Sequence, residues 1–152
     1  QIITVYAQGV TNPDLNNGNY VYSIDGGAFQ TSNVFENVGA GEHTIVVHDT
    51  LGCEDVTIIA SVINYPKFFT PNGDNHNDTW NIIGLHDQLK AKIYIFDRYG
   101  KLLKQLSPSN ESDGWDGTYN GRPLPSTDYW FTVEYIENNQ TKVFKSHFAL
   151  KR

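Results

Sequence analysis

Asp74, His76 and Asp78 alternate within residues 71–80. Spacing of this kind, a ligand at every second position, opens an oxygen-rich calcium loop. A hard cation needs several oxygens at once, and Asn72, Asp74, Asn77 and Asp78, with backbone carbonyls, could supply them. A structural calcium is therefore one reading of the segment. His76 takes a slot where an oxygen ligand is preferred, and the glycine after the third ligand and the late bidentate Glu of an EF-hand are missing. The other reading is local: Asn and Asp side chains accept neighbouring backbone amides in consecutive turns. A second polar cluster spans residues 113–125, where Trp115 and Tyr119 stand among Gly and Asp. Aromatics in such a loop either stack on a sugar ring or anchor the loop on the domain beneath it.

Catalytic patterns are thin. The five histidines (His43, His48, His76, His86, His147) are scattered singly, without His-Glu-x-x-His spacing for zinc. Gly-x-Ser-x-Gly is absent, and no glycine-rich loop precedes a helix to cradle a phosphate. Carboxylates are plentiful, so a glycosidase pair stays open on sequence alone. The expectation is no enzyme and no catalytic residue.

The elements that must position these loops read as strands. Ile2-Ile3-Thr4-Val5-Tyr6, Tyr20-Val21-Tyr22-Ser23-Ile24, His43-Thr44-Ile45-Val46-Val47 and residues 56–63 are rich in β-branched and aromatic side chains. Asp25-Gly26-Gly27 suits a tight hairpin that would return residues 20–24 onto residues 28–31. Further strands are expected at residues 80–83, 91–96, 101–106, 129–136 and 141–150, with a hairpin about Glu137-Asn138-Asn139-Gln140 and one helical turn at residues 85–89. Period-two spacing puts Phe144, Phe148 and Leu150 on one face. The fold class expected is all-β, as two small antiparallel Ig-like β-sandwich domains in tandem, at residues 1–64 and 65–152.

Charge divides along the chain. Residues 1–64 carry seven acids and no Lys or Arg, while residues 65–152 hold all 11 bases and the other 10 acids. The net charge of −6 speaks against binding nucleic-acid phosphates. No apolar run approaches the ~20 residues of a membrane-spanning helix, so the chain is expected not to span a membrane. Cys53 is the one cysteine, which excludes an internal disulfide; it reads as a small buried hydrophobe or as the partner of a cysteine elsewhere. A chain that opens on Gln1 and lacks Met reads as starting at a processing or excision boundary.

From Tyr65 onward the residues resemble a known family. Tyr65-Pro66-Lys67-Phe68-Phe69-Thr70-Pro71-Asn72-Gly73-Asp74, followed by Asn77-Asp78-Thr79-Trp80, is similar to the opening of the gliding-motility-associated C-terminal domain, the type B sorting domain of the Bacteroidetes type IX secretion system. The likeness runs on through residues 92–101, 114–121, 123–126 and 128–131 and closes at Phe148-Ala149-Leu150-Lys151-Arg152. One departure is Asn75-His76, where that family often has glycine and a small or apolar residue. Residues 1–64 resemble an SprB-type adhesin repeat at Tyr20 to Gly27, Phe35 to Val38, Gly41 to Val47 and Asp49 to Cys53. A single repeat implies an array upstream.

The resemblance implies a folded, non-enzymatic address. It would direct an exported protein, a gliding-motility adhesin, through the type IX machinery to the exterior or the cell surface. The implied partners are that machinery and a PorP/SprF-like outer-membrane protein. Recognition by docking needs an exposed apolar or aromatic surface or a sheet edge. The contact residues expected are Phe69, Trp80, Trp115, Tyr119, Phe148, Lys151 and Arg152. An alternative is a ligand-binding adhesin module whose first domain grips a glycan or a protein.

Overall fold

A computed structural model describes residues 1–8, 19–52, 54–108 and 114–152. Cys53 lies outside the described residues, as do residues 109–113, so neither reading of its thiol meets a structural observation. The chain is all-β, as expected, and forms two compact units, Gln1–Val62 and Ile63–Arg152. Among the described residues no helix is long and apolar enough to cross a membrane.

In the first unit, β1 (Ile3–Thr4) pairs antiparallel with β3 (Val34–Phe35). A three-stranded antiparallel sheet follows, in the order β2 (Tyr20–Ile24), β4 (Gly41–Asp49), β5 (Asp55–Val62). Tyr20, Tyr22, Ile45 and Val47 alternate onto one face and bury against Val5 and Phe35. Two expectations need correction. The strand from Ile2 to Tyr6 shrinks because Asn33 takes over the ladder beyond Thr4: its carbonyl accepts the Val5 N–H at 2.9 Å and its side-chain amide donates to the Val5 carbonyl at 2.8 Å. The turn at Asp25-Gly26 forms, with φ of 51° and 73°, but residues 28–31 meet β2 only in a bridge between Gln30 and Tyr22. The long ladder of β2 goes to β4 instead.

The second unit is built on a five-stranded sheet in the order β6 (Phe68–Phe69), β12 (Gln140–Leu150), β11 (Thr127–Glu137), β7 (Lys92–Phe96), β8 (Leu102–Leu106). Only the β6–β12 pairing is parallel. Asn138 and Asn139, at φ of 49° and 60°, close the β11–β12 hairpin, and both belong to the residue type that tolerates left-handed backbone. Opposite the sheet, the covering layer includes a small ribbon, β9 (Thr118–Tyr119) with β10 (Arg122–Pro123), and bridges joining Asn64 to Ile83 and Trp80 to Trp115.

The expected strand at residues 80–83 is thus two separate bridges. The Asn81 side chain caps the Ile82 N–H at 2.8 Å and diverts the backbone from a ladder. Residues 85–91 form successive turns, Gln88 N–H to Leu85 O and Ala91 N–H to Gln88 O, in place of the helical turn expected at 85–89. The core between the layers joins Ile93, Ile95, Phe131 and Val133 from the sheet to Trp80, Leu85 and Trp115 from the loops.

Candidate docking site

Four of the seven expected contact residues are core residues. Phe69, Trp80, Trp115 and Phe148 are each at most 1% exposed, so they have no surface to offer a partner. Their rings form one cluster: Phe69 lies 5.7 Å from Trp115 and 5.9 Å from Phe148 between centroids. Both buried indoles satisfy their N–H, Trp80 on the Pro66 carbonyl at 2.8 Å and Trp115 on the Thr118 carbonyl at 2.9 Å. Removal of each such ring from water contributes about 1.5–3 kcal/mol, which favours the anchoring reading over the docking one.

The remaining three are more accessible. Tyr119 is half-buried, with the Lys101 ammonium 4.2 Å from its ring centroid. Lys151 is exposed and lies 4.5 Å from the Phe68 ring centroid. Arg152 is exposed yet engaged: its guanidinium donates to the carbonyls of Leu124 (3.2 Å), Pro71 (3.3 Å) and Gly117 (3.2 Å), and its N–H donates to Ser126 Oγ at 2.9 Å. It ties the loop at Pro71 to the segment of residues 117–126, which the sequence holds far apart. Gly117 leaves room for this. At φ 77°, a Cβ there would stand 2.5 Å from the Leu150 side chain and 3.2 Å from the Arg152 guanidinium.

In residues 72–78 the side-chain oxygens face backbone amides. Asp78 accepts from the N–H groups of Asn72 (2.9 Å), Gly73 (2.7 Å) and Asn75 (2.7 Å). Asp74 accepts from His76 N–H at 2.8 Å and from the Asn72 side-chain amide at 2.9 Å, and the Asn72 side-chain oxygen accepts the Asp74 N–H at 3.0 Å. The amide of Gly73 foremost, then those of Asn75 and Asn72, holds the Asp78 carboxyl below the ordinary carboxylate range. The Asn77 carbonyl is also committed, to the Thr70 N–H at 2.7 Å. Asn75 and Asn77 adopt φ of 66° and 52°, so asparagine does at these positions the conformational work expected of glycine. Among the described residues no three His, Cys, Asp or Glu side chains converge as a metal-binding group. Each carboxylate oxygen of Asp74 and Asp78 thus already accepts at least one amide N–H, the pattern of the local-turn reading.

The geometry also brings together residues not singled out as contacts. A cleft of about 380 Å³ opens between the β7–β8 turn and residues 119–129. Its floor is apolar, formed by Leu103, Leu124, Pro125 and the Tyr129 ring, and its rim carries Arg98, Tyr99 and Lys101. Asp97 shapes the turn. One of its carboxylate oxygens accepts the N–H groups of Tyr99 and Lys101, each at 2.9 Å, and its backbone pairs with those of Lys101 and Gly100, the latter at φ 83°. This leaves Tyr99 pointing into solvent, 87% exposed. Arg98 reaches across the mouth to Thr127 Oγ1 at 3.3 Å. Burial pushes the Tyr129 phenol up, Arg152 opposes this and Asp97 adds to it; the hydroxyl donates to the Pro125 carbonyl at 2.8 Å. An exposed Tyr flanked by two cations in an Asp-x-x-Gly turn was the sequence signal for this site.

A second exposed surface lies on the sheet face opposite the core. His147, Trp130, Phe96 and Leu102 follow one another in cross-strand register over four strands, with Trp130 and Leu102 both exposed. Trp130 and His147 lie 6.3 Å apart between ring centroids.

Residues 63–150 match the family model described as CHU_C Type IX secretion signal domain. Curated proteins and solved structures yield no match to the chain.

Proposed function

Because the chain belongs to the CHU_C type IX secretion signal domain family, we propose that its Ile63–Arg152 unit is a pre-folded export label. It acts without making or breaking a bond: another protein of the type IX machinery, a PorP/SprF-like outer-membrane protein, docks on it. On this reading Gln1–Val62 is the adjoining module of the passenger, an adhesin repeat carried to the cell surface. The observation that carries the proposal is the match over residues 63–150, which coincides with a compact unit whose core rings are all internally engaged. A label of this kind needs a rigid shape and a surface, and both the cleft beside Tyr99 and the Trp130 face belong to that unit.

The test is a fusion of residues 63–152 behind a reporter in a type IX-competent bacterium. Export of the fusion, lost when the same strain lacks the secretion machinery, is the expected result. A stably folded fusion that stays inside, with the candidate partner present, overturns the proposal.

A further inference from the structure

We propose that the cleft between the β7–β8 turn and residues 119–129 binds an acidic peptide segment of the export partner bearing one large apolar side chain; this rests on the export reading above. Three features of the cleft select that chemistry. Its volume of about 380 Å³ lies in the ordinary range of binding pockets, about 300–1,000 Å³, and its floor of Leu103, Leu124 and the Tyr129 ring suits an aromatic or aliphatic side chain. Its rim is cationic. Among the described residues Arg98 and Lys101 form no ion pair; they meet only a hydroxyl and an aromatic face. The one acid in the lining, Asp97, is turned to the two amides of its own turn, which leaves the rim net positive on a chain of net charge −6.

The rim is also built rigidly. Asp97 and Gly100 fix the turn, Tyr129 is pinned to Pro125, and Arg152 holds Leu124 from behind. A preorganised rim loses little entropy on binding, and a carboxylate seated between Arg98 and Lys101 replaces contacts with a hydroxyl and a ring by charge-assisted ones. Tyr99, largely exposed at the lip, is placed to close over the bound side chain.

The experiment uses the whole chain and two synthetic probes, acetyl-Ser-Asp-Phe-Glu-Ser amide and its uncharged counterpart with Asn and Gln. Heteronuclear NMR should show saturable shifts at Tyr99, Lys101, Leu103 and Thr127 with the acidic probe. The uncharged probe should bind about tenfold or more weakly, and added salt should weaken the acidic one. R98E/K101E should abolish the shifts while the thermal midpoint stays close to that of the parent. If that variant does not fold, R98Q/K101Q replaces it. Equal binding of both probes, no binding, or shifts confined to the Trp130 face overturns the inference. The export arm separates this failure from failure of the reading. With the parent fusion exported, the inference expects R98E/K101E to be retained and K142E/K145E, the same charge change on β12, to be exported. Normal export of R98E/K101E, or equal loss in both variants, overturns the inference and leaves the reading standing. A parent fusion that is not exported overturns the reading, and the inference with it.

Discussion

The Trp80 indole lies flat on the Phe148 ring, with centroids 3.9 Å apart and planes 12° from parallel. Phe148 comes from the sheet and Trp80 from the covering loops, so this one stack joins the two layers of the second unit. Phe131 and Trp115 close around it at 4.9 Å from Trp80 and 6.0 Å from Phe148.

Cutting that stack should be costly. Phe148→Ala or Trp80→Ala is expected to lower stability by about 3–5 kcal/mol, the usual range for large aromatics removed from a core. Denaturant unfolding of the Ile63–Arg152 transition measures it. A loss near zero would show that the stack does not hold the layers together.

Gly117 should resist any side chain. Gly117→Ala combines left-handed backbone, which costs about 1–2 kcal/mol for an L-residue, with overpacking against Leu150, about 1–3 kcal/mol more. Gly121→Ala has a similar φ, 74°, but nothing within 4 Å of its Cβ, so it should show the backbone cost alone. Comparison of the two thermal midpoints separates the contributions.

Acid should weaken both units. Asp78 in the second unit is held low by the Gly73, Asn75 and Asn72 amides. Asp25 in the first is held low chiefly by its hydrogen bond to His43, at 2.8 Å. A carboxyl whose folded pKa lies below its unfolded value of about 4 adds stability above that pH and loses it as pH falls through the folded value. Unfolding midpoints should therefore hold from neutral pH to about pH 5 and drop below about pH 4. Asp78→Asn should lower the neutral-pH midpoint of the second unit and flatten its acid limb. Run with EDTA, the same melts distinguish the two readings of this loop. Carboxylates serving only the amides of their own turns predict no shift, whereas a drop would restore the calcium.

Arg152 should matter by its geometry as well as by its charge. Arg152→Lys keeps the charge but cannot match a planar fork aimed at three carbonyls. Both Arg152→Lys and Arg152→Ala should raise amide exchange around Leu124, with a stability change of about 1 kcal/mol or less at so exposed a side chain. Exchange unchanged in both variants would mean that the clasp does not order the loops.

Much of the strand pattern was legible from residue order. Period-two spacing in residues 141–150 put Phe144, Phe148 and Leu150 on one face, and in the structure Phe148 and Leu150 are buried there with Phe144 packed beside them. The hairpin about Asn138-Asn139 was readable because asparagine accepts positive φ. The strand expected at residues 80–83 failed for an equally local reason, an asparagine side chain competing with the ladder.

Residue order alone thus settled the all-β class, most strand positions and the turns, since each depends on a side chain's effect on its own few neighbours. Tertiary structure alone decided which aromatics face inward. Trp80 and Trp115 sit in polar loops that look solvent-exposed in one dimension, and they are buried because loops distant in the chain fold over the same sheet. The same holds for the cleft. Arg98, Tyr119 and Tyr129 lie in three separate segments, and no local propensity encodes their meeting. Burial and convergence depend on which chain segments pack together, and that packing is set by the whole core at once.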